Sequence, residues 1–477
     1  MKPRRIVVWF RQDLRLHDNE ALHYALERCD EIIPVYVFDE RQVTGKSKYG
    51  FAKTGRYRAK FLIEAVEDLR NSFRKRGSDL IVRFGKPEEE VYKIAKATRA
   101  SWVYCNRERT QEEVDVQNAL EGNLWRIGIE VNYFRGKMLY YTQDLPFPVS
   151  HTPDTFTSFR KEVEKIVPVR EPFAIPNEVK PVTFNIDSGK IITLSDFGYE
   201  AFESDSRAVL DFKGGETAAL ARVQKYLWEK DLLRQYKETR NGLIGGDYSS
   251  KLSPWLSLGC VSPKLVYFEV RKYEAERISN QSTYWLIFEL LWRDYFRLMG
   301  KKHGNNIFKR GGIKQQINSE LQDDMVSFRI WKEARTGVPF IDANLRELNL
   351  TGFMSNRGRQ NVASFLVHDL KVNWQIGAEY FESLLLDYDP CSNWGNWNYI
   401  AGVGTDPRED RYFNIISQAK RYDPHGDYVK LWIPELIEVP AKKIHQPDLL
   451  SSEEQDIVHV RLGDDYPNPI FKTTRWT

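Results

Sequence analysis

The sequence predicts a parallel α/β domain, a long connection and then an all-α domain. Two hydrophobic periods alternate over residues 1–135, prolines interrupt residues 136–215, and a helical period dominates residues 216–477. Strands that alternate with helices are typical of a doubly wound parallel sheet. A chain of 477 residues is long enough for two or three such domains.

Five short apolar runs are the predicted strands. They are Ile6–Phe10, Ile32–Phe38, Leu80–Phe84, Trp102–Cys105 and Val131–Phe134. The helical patterns between them cover Asn19–Glu27, Tyr57–Lys75, Pro87–Ala97 and Gln111–Ile127. Because no GxGxxG follows the first strand, a dinucleotide-binding loop is not expected, and a ligand of this domain would lie at the carboxyl ends of the strands.

The second half of the chain has a different pattern. Seven prolines between residues 146 and 181 mark the connection between the domains. Beyond it, helical segments are predicted near 217–232, 283–299, 326–335, 339–349, 357–371 and 377–387.

Composition excludes several classes of protein. The 70 basic and 67 acidic residues give a net charge of only +3, which excludes a histone-like protein but leaves a local basic groove open. The four cysteines have no CxxC spacing: they are Cys29, Cys105, Cys260 and Cys391. Reduced thiols in a cytoplasmic protein are therefore expected. No apolar run is long enough to span a bilayer, and the histidines show no metal-ligand spacing, so neither a membrane segment nor a metal site is predicted.

The segment 283–299 carries the most informative pattern. Trp285, Glu289, Trp292 and Phe296 follow one another at helical spacing and share one face. Burial among these rings would raise the pKa of Glu289, and a protonated carboxyl could donate a hydrogen bond to a carbonyl that gains charge. The alternative is a core helix in which Glu289 pairs with Arg293 one turn later.

A basic cluster follows this helix. Its members are Arg297, Lys301, Lys302, Lys309, Arg310 and Lys314, with no acidic residue among them. Such a cluster could bind a phosphate backbone, and the alternative is an ordinary solvated surface.

Two more segments combine polar and aromatic side chains. Asn356–Asn361 opens an apolar helix with donors that suit an anion or a carbonyl, or is simply a capped helix with surface arginines. Asp387 and Asp389 precede Asn393 and three aromatic residues that end at Tyr399. Flat ligands stack well on such rings, whereas the alternative is a turn leading into a tryptophan-rich core.

Together these motifs resemble the photolyase/cryptochrome family over roughly Arg4 to Pro447. The matching segments, in order, are Val7–Arg15 with Asp18 and Asn19, Ser249–Pro254 with Gly259, Glu289–Arg293, Asn356–Gln360 and Asp387–Tyr399. Within the family the sequence is most similar to the cryptochrome DASH branch, through Leu145–Pro153 and Ile307–Gly312. Gln360 and Tyr399 also fit that branch, because photolyases for cyclobutane dimers typically carry Met and Trp there. Asn356 stands where photolyases for the (6-4) lesion carry a catalytic histidine, which argues against that chemistry.

The resemblance implies a U-shaped FAD in the helical domain. The implied FAD-binding residues are Tyr236, Ser249, Ser250, Lys251, Leu252, Ser253, Arg293, Arg359, Asp387, Asp389 and Asn393. Arg359 and Asp387 would form an ion pair beside the isoalloxazine, and Asn393 would face its N5. The N-terminal domain would hold an antenna pigment, 5,10-methenyltetrahydrofolate, near Glu108.

The implied activity is light-driven repair of cyclobutane pyrimidine dimers in DNA by a monomeric enzyme. Excited FADH⁻ would pass an electron to the dimer, and the electron would return after the dimer splits. Trp292 and Tyr399 would hold the flipped bases and Glu289 would stabilise the dimer anion. The remaining implied DNA contacts are Arg240, Asn356, Arg357 and Gln360. A tyrosine at 399 offers a smaller ring than tryptophan, which fits the association of this branch with single-stranded DNA, where flipping costs less.

The chain departs from the family pattern at one position. Trp397 and Trp374 match the first two tryptophans of the family's electron chain, but the third position holds Leu321. We therefore expect slower photoreduction of FAD, or a detour through another aromatic residue.

Two other functions fit the same resemblance. A blue-light sensor would use FAD for signalling with little repair, and a redox-inert flavin or nucleotide binder would show no salt-sensitive binding to oligonucleotides.

Overall fold

A five-stranded parallel sheet forms the N-terminal domain of the computed structural model, which describes residues 3–405, 411–472 and 476. The strands are β1 (Arg5–Phe10), β2 (Glu31–Asp39), β3 (Ile81–Gly85), β4 (Trp102–Asn106) and β5 (Glu130–Phe134). Their order in the sheet is β3-β2-β1-β4-β5, with Ile6 paired to Ile32 on one side and to Trp102 on the other. The predicted parallel sheet is confirmed.

Helices cover both faces of this sheet, as a doubly wound fold requires. They are α1 (Glu20–Arg28), the short α2 (Glu40–Val43), α3 (Arg56–Arg74), α4 (Pro87–Thr98) and α5 (Gln111–Trp125). Alternate residues of β1 enter different cores: Val8 packs in one cluster and Val7 in the other. Apolar side chains on both faces explain why the strands read as continuous hydrophobic runs.

The connection over residues 136–215 contains one helix that was not predicted, α6 (Phe156–Ile166). Thr155 caps its first turn by accepting from the Ser158 amide at 3.2 Å, and Phe156, Phe159 and Val163 are buried. Prolines on either side limit the length of the helix, so its hydrophobic pattern is too short to recognise in the sequence. Its buried face brings the connection against the helical domain.

The C-terminal domain is helical, as predicted. Its helices are α7 (Glu216–Val223), α8 (Tyr236–Thr239), α9 (Ser253–Ser257), α10 (Pro263–Glu276), α11 (Gln281–His303), α12 (Met325–Lys332), α13 (Pro339–Thr351), α14 (Asn356–Ser364), α15 (Trp374–Leu384), α16 (Pro390–Ile400), α17 (Ile415–Tyr422), α18 (Asp427–Trp432) and α19 (Ser452–Ile457). Wider π-helical turns extend α7 and α14, over Gln224–Glu229 and Phe365–Asp369. The α16 helix was not predicted, because its sequence is rich in Asn, Gly and Ser.

Buried polar contacts join the helical domain to the connection and to the N-terminal domain. Asp294 on α11 accepts hydrogen bonds from the amides of Leu139 and Tyr140, at 3.1 and 2.9 Å. His17 contacts Glu216 at the start of α7. The joint is therefore specified by directed hydrogen bonds as well as by apolar packing. Within the described part of the chain, no helix has both the length and the apolar character that crossing a bilayer requires.

Candidate active site

A cavity of about 110 Å³ lies between α14, α15 and α16 in the helical domain. Its walls include eight of the predicted site residues: Asn356, Arg359, Gln360, Asp387, Asp389, Asn393, Trp397 and Tyr399. Two segments thirty residues apart in the sequence thus meet at one site.

An ion pair at this cavity leaves one acceptor open. Arg359 Nη2 lies 2.9 Å from Asp387 Oδ2, and Arg359 also donates to the Met354 carbonyl at 2.9 Å. The other oxygen, Asp387 Oδ1, is buried and accepts no hydrogen bond from the described residues. Because a buried carboxylate oxygen without a donor is costly, this oxygen is suited to an N–H group of a ligand.

The α16 helix presents the other side of the cavity. Asp389 caps it by accepting from the Ser392 amide at 2.8 Å, and Pro390 occupies its first turn. Asn393 donates to the Ala378 carbonyl at 3.0 Å, which leaves its amide oxygen free to accept. The Trp397 ring packs so closely on α15 that a Cβ at Gly377 would lie 2.3 Å from it, so only glycine fits there.

Asp389 is held by a buried network of charges between the domains. Arg297 Nη1 lies 3.2 Å from Asp389, and its Nη2 lies 3.2 Å from Glu108. Lys137 lies 2.5 Å from the other oxygen of Glu108. Burial alone would raise the pKa of Asp389, but the charges of Arg297 and Arg293 hold it below the usual value.

This network corrects one prediction. The expected basic groove from Arg297 to Lys314 does not begin at Arg297, whose side chain is only 3% exposed and points into the ion network. Lys302 pairs with Asp154, whereas Lys301, Lys309 and Lys314 are exposed. Because α11 packs on both domains, its contacts decide which of its charged side chains are buried. A run of basic residues in the sequence does not show this. Glu108, the expected antenna contact, already has a cation at each carboxylate oxygen.

The partner of Glu289 is Arg240 on the C-terminal side of α8, and the alternative pair with Arg293 is wrong. Arg293 instead donates to the carbonyls of Lys137 and Leu256, at 2.7 and 3.0 Å. Burial raises the pKa of Glu289 and outweighs the opposing effect of Arg240. Arg293 therefore fixes the connection against α11, while Arg240 orients the carboxyl.

Trp292 and Tyr399 meet at a right angle beside the cavity. Their ring centroids lie 5.8 Å apart with an interplanar angle of 85°. Phe156 stacks on Trp292 at 3.7 Å and 10°, and the Arg411 guanidinium lies 4.6 Å from the Tyr399 ring. Neither Phe156 nor Arg411 was predicted, because both come from distant segments without a recognisable spacing.

The predicted phosphate-binding segment lies in a loop whose backbone carbonyls accept hydrogen bonds from an arginine. Arg222, also missed, donates to the carbonyls of Gly246, Ser249 and Ser250 at 2.7 to 3.0 Å. Lys251 is 3% exposed, contacts the Tyr248 ring and has no carboxylate partner within 4.0 Å among the described residues.

Burial places the pKa of Lys251 well below its usual value. A buried cation without a counter-charge suits an anionic phosphate. Leu252 is buried, Ser253 begins α9, and Tyr236 is buried at the start of α8. None of these residues lines the cavity at α16, so the candidate site has two separate parts.

The two predicted electron-chain tryptophans are buried near the cavity. Trp374 is fully buried, and its Nε1 donates to the Arg310 carbonyl at 3.1 Å. Its ring lies 5.7 Å from that of Trp394. Leu321 is 2% exposed, so the departure from the family pattern leaves an aliphatic side chain in the core.

Comparison with known proteins identifies the family. A sequence model described as DNA photolyase matches residues 6–177, and one described as the FAD binding domain of DNA photolyase matches residues 285–476. Cryptochrome DASH of Synechocystis sp. is 52% identical over 468 residues, which cover 98% of this chain and 95% of that protein. The chain belongs to the photolyase/cryptochrome family, in its cryptochrome DASH branch.

Other members of the family extend this similarity. Cryptochrome DASH of Xenopus laevis is 49% identical and covers 100% of this chain and 91% of its own length. A crystal structure of a Synechocystis cryptochrome has a TM-score of 0.96 at 51% identity and covers 99% of this chain and 98% of its own. A class III photolyase from Agrobacterium tumefaciens has a TM-score of 0.87 at 29% identity, with 100% and 96% covered. The chain is therefore a photolyase-like flavoprotein with an FAD-binding domain.

The residues present fit FAD. The open acceptor at Asp387 suits the flavin ring, whose N–H groups can donate. The buried Lys251 amine, which donates to the Ser249 hydroxyl at 3.2 Å and has no carboxylate within 4.0 Å among the described residues, suits the pyrophosphate. Their location in separate parts of the helical domain matches a ligand with a ring at one end and phosphates further along.

Proposed function

We propose that this protein repairs cyclobutane pyrimidine dimers in DNA under blue light. The observation that carries the proposal is the corner formed by Trp292 and Tyr399, with Glu289 one turn away on α11, at a cavity suited to a flavin. The two linked pyrimidines of a flipped dimer are tilted relative to each other, so each could stack on one of the two rings of such a corner.

FAD, when bound, supplies a light-driven one-electron donor. Lys251 and the serines of Ser249–Ser253 would bind its phosphates, and Arg293 on α11 would keep the connection against that helix. Arg359 and Asp387 would hold the isoalloxazine, with Asp389 close by and the Asn393 amide near N5. An amide can donate or accept a hydrogen bond, so Asn393 suits either redox state of the ring.

The chain's own residues would bind and polarise the lesion. Trp292 and Tyr399 would stack on the flipped bases, at about 1–3 kcal/mol for each base. Burial raises the pKa of Glu289 and so favours its protonated form, in which it would donate a hydrogen bond to a base carbonyl. Arg240 opposes that shift and orients the carboxyl. Three more residues would contact the lesion or its phosphates: Asn356, Arg357 and Gln360.

Single-stranded DNA is the proposed substrate form. The ring of Tyr399 gives less stacking area than a tryptophan, and a base in a single strand needs no unpairing before it flips. Weak stacking is therefore more easily tolerated there. We further propose that the enzyme acts as a monomer in the cytoplasm, where the four cysteines, which are all free, remain reduced.

An antenna folate remains a proposal for the N-terminal domain. Glu108 was the expected contact, yet its two oxygens pair with Lys137 and Arg297. A folate that bound Glu108 would have to replace one of these cations or bind alongside them. Reconstitution with methenyltetrahydrofolate and comparison with Glu108→Gln would test this contact by the stoichiometry of bound pigment.

Substitution of Glu289 tests the proposed function. Glu289→Ala should abolish light-driven repair of a dimer-containing oligonucleotide while the bound FAD remains, and Glu276→Ala on the exposed face of α10 should change neither. Repair that survives Glu289→Ala would refute the role of this carboxyl. Absence of repair in the unaltered protein, with FAD bound and reduced, would favour the blue-light sensor instead.

A further inference from the structure

The aromatic strip of α11 continues beyond the proposed lesion site. It consists of Trp285, Phe288 and Trp292, which are spaced at i, i+3 and i+7 and share one face of the helix. All three are only partly buried, although most of α11 is fully buried. The proposed repair chemistry uses Trp292 and leaves the other two rings without a role.

Cations lie against these rings. Lys237 Nζ is 4.9 Å and the Arg240 guanidinium 5.8 Å from the Trp285 ring, and the Arg160 guanidinium is 5.6 Å from the Phe288 ring. Lys237 Nζ contacts the Gln281 amide oxygen and has no carboxylate within 4.0 Å in the described part of the chain. Aromatic rings interleaved with basic groups are typical of surfaces that bind single-stranded nucleic acid.

The strip is continuous with the cavity. Trp285 stacks on Phe288 at 4.7 Å and 28°, and Phe288 meets the edge of Phe156 at 5.1 Å. Phe156 in turn stacks on Trp292, whose neighbour Tyr399 lines the cavity. Seven residues of helix span about 10 Å, which is enough for a base next to the lesion.

We propose that Trp285 and Phe288 form a stacking platform for the nucleotide that flanks the flipped lesion in single-stranded DNA, with Lys237 bound to its phosphate. This inference rests on the proposed function, since it takes Trp292 and Tyr399 as the lesion site. The lesion and the flanking nucleotide would then bind along one face of α11. Phe156 of α6 would support the aromatic rings of this face from behind. The platform favours a single strand because an unpaired neighbour is free to stack.

The test is the gain in affinity from each flanking nucleotide. Binding is measured for the dinucleotide dimer alone and for the dimer extended by one nucleotide on its 5′ side or its 3′ side. In the unaltered protein, extension on one side should strengthen binding by about 5- to 160-fold, the range for one stacked base. Trp285→Leu should remove that gain, and Trp285→Phe should keep most of it.

The salt dependence of binding distinguishes the contribution of base stacking from that of the lysine charge. Lys237→Gln should reduce the slope of log K against log salt by about 0.7, whereas Trp285→Leu should leave the slope unchanged. Trp125→Ala, which removes a 74% exposed tryptophan on the N-terminal domain, is the matched control and should have no effect. Far-UV circular dichroism and FAD content verify that each variant folds.

Two results would overturn the platform: a flanking gain that Trp285→Leu does not change, or no flanking gain in the unaltered protein. Undamaged single strands of equal length are measured in parallel, so the platform is tested independently of repair. Failure to repair the dinucleotide dimer would count against the proposed function alone, whereas normal repair without a flanking effect would count against the platform alone.

Discussion

Replacement of Arg297 by methionine should cost more stability than any loss of a surface charge. The guanidinium contacts Asp389 and Glu108 at 3.2 Å each, and all three side chains are at most 5% exposed. Methionine keeps an unbranched apolar stem but leaves both carboxylates with one cation fewer. Breaking a buried ion pair by removing one partner costs about 3–5 kcal/mol. We expect the lower end of that range, because Lys137 still neutralises Glu108.

The assay is urea unfolding followed by circular dichroism, with Arg74→Ala as the control. Arg74 pairs with Asp79 at the surface, where its side chain is 53% exposed, and such pairs contribute about 0–1 kcal/mol. The charge of Arg297 lowers the pKa of Asp389, so the stability it provides exists above the unfolded pKa of about 3.9 and is lost as the pH falls through the folded value. The difference in stability between Arg297→Met and the unaltered protein should therefore persist down to about pH 4 and shrink only below it.

A loss below about 1 kcal/mol at pH 7, equal to that of Arg74→Ala, would refute this account of the network. A second result is expected from DNA binding. Because Arg297 is not at the surface, Arg297→Met should leave the salt dependence of oligonucleotide binding unchanged. A reduced slope would restore the original idea that Arg297 belongs to a basic groove.

Three further predictions follow from buried groups. Burial raises the pKa of Glu347, which accepts from Tyr428 at 2.6 Å, to about 7. The contribution of this one group to folding stability should therefore fall by about 3 kcal/mol as the pH rises from 4 to 7. Glu347→Gln should remove that part of the pH dependence in urea titrations. Asp294→Ala leaves two buried backbone amides without an acceptor and should lower the free energy of unfolding by about 2–6 kcal/mol, which an unchanged urea midpoint would contradict. Trp374→Phe should slow blue-light reduction of the flavin and Leu321→Trp should accelerate it, as followed by visible absorbance; unchanged rates in both would show that this partial chain is not used.

The sequence predicted those features that depend on local pattern. The strands of the sheet could be located because buried parallel strands are short, continuous apolar runs, and Val7 and Val8 need partners on opposite faces. Helix α16 was missed although it carried a signal: Asp389 before Pro390 is a common helix start.

Long-range pairing could not be predicted in the same way. Glu289 had a suitable partner four residues later, yet the fold brings Arg240 to it from 49 residues earlier. Phe156 reaches Trp292 only because the connection folds back onto α11. A single sequence records which side chains are available, but contacts between distant segments depend on the three-dimensional packing.

Recovery of pyrimidine monomers from a dimer-containing single strand tests the central claim most directly. The strand is incubated with the protein carrying chemically reduced FAD, in blue light and in the dark, and the products are separated by chromatography. The account predicts many turnovers in light, none in the dark, and no net consumption of reductant. Tight binding of the strand without any light-dependent splitting would contradict it.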